Sequence, residues 1–167
     1  MPDRSRLGPK KQLLLMATGI GVLVAAMWIM TLALPDPRPP TVEAATAKIE
    51  SHFDRIEESL SASSILERSE DVAEQPCPLE QHGDQARVRR ILHIDPDLDR
   101  VAWLTDLEEA LPEADGWVVR IRTLDSRDNF RIRVVARDLT VINIAARGSD
   151  GQARITLNST SECSQAD

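Results

Sequence analysis

The side chains able to do chemistry are few and scattered. His52, His82 and His93 stand in three separate contexts, and none falls in an HExxH or HxH ligand spacing. There is no GxSxG elbow, glycine-rich phosphate loop or CxxC pair, so no nucleophile–base constellation is legible. The paired carboxylates Glu57–Glu58 and Glu108–Glu109 read as solvated helix faces. The sequence therefore argues against an enzyme, and it implies no cofactor. The nearest approach to a metal site is Asp95-Pro96-Asp97-Leu98-Asp99 with Asp106. An EF-hand loop needs carboxylates at positions 1, 3, 5 and 12 and glycine at position 6, where this chain has Arg100. Helix capping at a strand–helix junction accounts better for these aspartates.

Arginine carries the more specific pattern. With Trp117, Val119 and Ile121 pointing inward, Arg120 and Arg122 point outward. With Phe130, Ile132 and Val134 inward, Arg131, Arg133 and Arg137 point outward, and Arg154 alternates with Ile155. Arg87 or Arg89 can join from an earlier strand. Neighbouring antiparallel strands would gather these on one face, either as solvated surface or as a docking face for an anionic lipid head group, wall polymer or acidic protein segment. A net charge of −7 and the absence of interleaved aromatics argue against nucleic acid.

The elements that would position this face follow from periodicity. Residues 1–11 form a basic N-terminus with Arg4, Arg6, Lys10 and Lys11. Residues 12–34 carry no charge, and at 1.5 Å per residue they would span about 34 Å, enough for a bilayer core of about 30 Å. That length favours an uncleaved transmembrane helix over a signal peptide. The flanking charge puts the N-terminus in the cytoplasm and the remainder outside the cell membrane, as a single-pass protein. Within the run, Ala17, Gly21 and Ala25 recur every fourth residue, the spacing at which another transmembrane helix, or a second copy of this one, packs closely.

Asp36-Pro37-Arg38-Pro39-Pro40 lies in a stiff spacer, 35–40. Val42, Ala45, Ile49, Phe53, Ile56 and Leu60 then recur at helical spacing, with Thr41 as N-cap, in a segment 41–66. This segment reads as an amphipathic helix covering its own domain or as a short coiled-coil stalk. Residues 67–84 read as an irregular acidic linker.

The module, 85–163, reads as strand 88–94, a helix 98–111 and four strands at 117–124, 130–137, 139–146 and 154–158, followed by a tail, 164–167. Leu98, Val101, Ala102, Leu104, Leu107 and Leu111 form the expected core stripe of that helix. The order β-α-β-β-β-β predicts an α+β fold, an antiparallel sheet covered by a helix. Cys77 and Cys163 both fall on the expected outer side, where thiols oxidise. They read as a disulfide fastening the two ends of the module, or as two free thiols.

The Gly116-Trp117 strand, the terminal Ser161-Glu162-Cys163 and the early Cys77-Pro78 give the module its resemblance. It is similar to small anchored envelope proteins and lipoproteins of high-GC Gram-positive bacteria, although it lacks their lipidated cysteine. The resemblance implies an extracytoplasmic location, an α+β fold and pairing of the early and late cysteines. Two functions of different class follow. One is a non-catalytic accessory or assembly subunit of a membrane complex; the other is an envelope module that binds an anionic ligand.

Overall fold

The computed structural model describes residues 27–28, 38–78, 83–125, 128–149 and 152–165. The chain divides into two units, Met1–Pro37 and Arg38–Asp167. Of the first, only Met27 and Trp28 are described, both helical and exposed. The rest of the expected membrane run 12–34, with Ala17, Gly21 and Ala25, lies outside the described residues. Among the described residues no helix is long and apolar enough to cross a membrane.

The second unit is an α+β fold with two helices and one antiparallel six-stranded sheet. Helix α1 (Val42–Glu57) starts as expected, with the Thr41 side chain accepting the Ala44 backbone N–H at 3.2 Å. Its apolar stripe, Ala45, Ile49, Phe53 and Ile56, is buried against the sheet, so α1 covers its own domain. The chain then forms β1 (Ile65–Pro76) and β2 (Asp84–Ile94), helix α2 (Arg100–Ala110), and β3 (Val118–Thr123), β4 (Phe130–Val135), β5 (Val141–Ser149) and β6 (Gln152–Thr160). The strand order is β1-β2-β6-β5-β4-β3.

One face of this sheet is the core. Val88, Leu92, Ile132, Ile142, Ile144, Ile155 and Leu157 alternate inward and meet Phe53, Trp103 and Leu107 from the helices. The other face is open to solvent.

Two expectations need correction. The expected irregular linker 67–84 is strand over most of its described residues: Ile65–Pro76 form a twelve-residue edge strand, and β2 begins at Asp84. Almost every β1 side chain is exposed, so the strand carries no apolar alternation. It is held by eleven residue pairings with β2, among them Glu70 opposite Arg90 and Asp71 opposite Arg89. The stripe of the second helix also shifts, because α2 starts at Arg100: Val101 and Ala102 are exposed, and Trp103 takes their place in the core.

The disulfide Cys77–Cys163 is present, with Cα atoms 6.0 Å apart. It joins the β1–β2 connection to the segment following β6. The same segment is held by Ser161 N–H to Ala86 O and Ser164 N–H to Asp84 O, both at 2.8 Å.

Candidate functional site

In an antiparallel sheet, directly paired residues share a face. The register places Arg120 opposite Arg133 and Arg122 opposite Arg131 between β3 and β4. Arg147 lies opposite Arg154 between β5 and β6. Through Asn143 and Asn158, the row of Arg120 and Arg133 continues to Arg89, and Arg87 lies two residues along β2. All eight guanidinium groups are thus on the solvent face, and all eight residues are exposed.

Among the described residues none of the eight forms an ion pair. The two carboxylates on the same face, Glu67 and Asp71, sit on edge strand β1 opposite His93 and Arg89. Between the arginines runs a strip of shorter side chains in one register row, Ile91, Thr156 and Ala145, with Thr156 buried although it faces outward. The result is a shallow floor bordered by Arg131, Arg147 and Arg154.

Arg137 does not belong to this face. β4 ends at Val135, and residues 136–140 form a turn closed by Ala136 N–H to Thr140 O at 2.9 Å. Arg137 instead lines an open cavity with His52, Trp117 and Asp138. The alternation that placed it outward does not survive the end of the strand. Arg147, by contrast, falls outside the expected strands 139–146 and 154–158; its place on the face depends on β5 running through Ser149.

Two further charged clusters lie on the helix side. Arg90, almost fully covered, donates to Asp54 Oδ1 at 2.7 Å, to Glu57 Oε1 at 2.9 Å and to Glu70. Burial works against its charge, but the bonds to Asp54 and Glu70 outweigh this and raise its pKa. Its guanidinium also lies over the Phe53 ring at 5.3 Å. Arg68 of β1 reaches the same three carboxylates at 3.4–3.9 Å, so this cluster locks α1 to β1 and β2.

The second cluster centres on Asp138, which meets His52 Nε2 at 2.9 Å, Lys48 Nζ at 3.1 Å and the Thr140 backbone N–H at 3.1 Å. Burial pushes this carboxyl up, but those donors outweigh it and hold it well below the usual carboxylate range. Lys48 also reaches Glu162 at 3.5 Å. The pair His52 and Asp138 is 86 residues apart in sequence, and no local motif announces it.

The aspartates of the strand–helix junction are engaged locally. Asp99 caps α2 by accepting from Val101 and Ala102 N–H at 3.0 Å each, and Asp95 accepts from Asp97 N–H at 2.9 Å. Asp106 is exposed on α2. Among the described residues no three His, Cys, Asp or Glu side chains converge as a metal site would need.

No family model matches this sequence, and no curated protein matches it. The fold is similar to the crystal structure of a DUF4853 family protein from Actinomyces odontolyticus. The TM-score is 0.51 at 12% identity, over 80% of this chain and 74% of that one. At that identity the likeness concerns the fold alone.

Proposed function

We propose that this chain is a non-catalytic, extracytoplasmic binding module, held at a membrane by residues 12–34, whose arginine face docks an anionic ligand. One observation carries the reading: three Arg–Arg pairs stand directly opposite one another, Arg120–Arg133, Arg122–Arg131 and Arg147–Arg154. Like charges in such pairs oppose sheet formation. A face that only needed solubility would interleave carboxylates, as the helix side of this module does. An anionic partner relieves the repulsion and gains charge-assisted hydrogen bonds. The Cys77–Cys163 disulfide is consistent with an oxidising, extracytoplasmic setting.

The test is binding of the detergent-solubilised full chain to inorganic polyphosphate across a salt series. Binding should weaken steeply with salt, and the quadruple variant Arg120→Gln, Arg122→Gln, Arg131→Gln, Arg133→Gln should lose it. Equal binding by the variant would count against the face.

A second reading, an accessory or assembly subunit of a membrane complex, is favoured by the charge-free run with its Ala17, Gly21 and Ala25 stripe. It expects Gly21→Leu to reduce recovery of a transmembrane partner on gentle extraction. Unchanged recovery would sink it.

A further inference from the structure

The cavity beside Arg137 has the form of a small-ligand site, and it is independent of the arginine face. It measures about 360 Å³ and is lined by His52, Trp117, Arg137 and Asp138. That volume lies in the range of small-molecule pockets, roughly 300–1,000 Å³.

Each wall is held from behind. Asp138, fixed by Thr140 N–H and Lys48, orients the imidazole of His52 through Nε2. The imidazole meets the Trp117 ring edge-on, with centroids 5.2 Å apart and planes at 85°. Gly116 adopts φ 86°, and a Cβ there would lie 2.9 Å from the Arg137 Cβ. The absence of a side chain at Gly116 is thus what lets the stem of Arg137 lie beside Trp117.

The charges at the cavity are unequal. The Asp138 carboxylate is taken up by His52 and Lys48. Arg137 is exposed and has no ion pair among the described residues. An indole ring next to one uncompensated guanidinium suits a ligand that offers a ring face and a single anionic group.

We infer that this cavity binds a six-membered-ring compound bearing one carboxylate, with the ring against Trp117 and the carboxylate on Arg137. An aromatic acid and an acidic sugar share that chemistry.

The experiment titrates the full chain in detergent with benzoate and with D-glucuronate, against their uncharged counterparts benzamide and glucose, by tryptophan fluorescence. Trp117→Phe identifies the signal among the three tryptophans, since it leaves Trp28 and the buried Trp103 in place. At least one carboxylate should give a saturable change that its uncharged counterpart does not. Arg137→Gln should weaken binding about tenfold or more, and Arg137→Lys should retain part of it. Arg131→Gln with Arg133→Gln, on the sheet face, should leave it unchanged. Benzoate alone would assign an aromatic acid, and glucuronate alone an acidic sugar. No saturable change with either, or undiminished affinity in a folded Arg137→Gln variant, would overturn the proposal.

Discussion

Arg90 Nη1 donates to Asp54 Oδ1 at 2.7 Å, joining β2 to α1 across 36 residues of sequence. Glu57 and Glu70 complete a set of three carboxylates around one covered guanidinium. Arg90 therefore holds together acids that would otherwise repel, with Arg68 at 3.4–3.9 Å from the same three. Arg90→Met should destabilise the module by about 2–4 kcal/mol at neutral pH, because the acids lose their covered counter-charge and keep only the exposed Arg68. Urea unfolding at pH 7 measures it; a loss below about 0.5 kcal/mol would mean that Arg90 contributes by packing on Phe53, which Met retains.

The Cys77–Cys163 bridge closes a separation of 86 residues. Replacing both cysteines with serine should lower stability by about 2–5 kcal/mol, chiefly by freeing the unfolded chain. Thermal unfolding of the double variant against the oxidised parent reads the effect, and the reduced parent, which should melt with the double variant, is the control. If the reduced parent and the double variant differ in melting temperature, the serines have disturbed packing beyond the loss of the bond.

How far the sequence discloses this architecture depends on where apolar residues alternate. α1, β4 and the Arg131/Arg133 pair were legible because each element shows one apolar side to the core; β3 alternates in sequence, but as an edge strand it covers only Val119 in part, and Ile121, expected inward, is exposed. β1 was not, since Leu66-Glu67-Arg68-Ser69-Glu70-Asp71 has no apolar period and takes its conformation from β2. Adjacent Arg89 and Arg90 look alike in sequence, yet one faces solvent and the other is covered; only pairing with β1 and the acids of α1 separates them. The notch at Trp117 was hidden because it joins α1, the start of β3 and a turn.

Asp138 makes acid stability predictable in sign. Its folded pKa lies below its unfolded value, so its contribution is fully present above the unfolded value near 4 and is lost as pH falls through the range below it. Asp138→Asn should therefore lower stability at pH 6 and make little difference at the most acid pH where the fold persists. Denaturation midpoints across that range check this. A deficit that does not depend on pH would assign Asp138 a purely geometric role in the 136–140 turn.

The facing arginines make a claim about stability as well as about binding. Arg120 and Arg133 lie directly opposite on adjacent strands, as do Arg122 and Arg131, and no carboxylate of the described residues pairs with them. Their repulsion is a standing penalty on the β3–β4 pairing, roughly 0.2–1 kcal/mol for each pair. Exposed charges are screened by salt, so the penalty should be largest at low ionic strength. Arg120→Gln with Arg122→Gln should thus raise the melting temperature in low salt, and the gain should fade near 1 M salt. The same variant should bind polyphosphate more weakly. Such an exchange of affinity for stability is what a functional surface shows, because the repulsion is retained for the sake of a partner. A variant no more stable than the parent in low salt would mean that the guanidinium groups already spread apart into solvent, and the argument from repulsion to an anionic partner would fail.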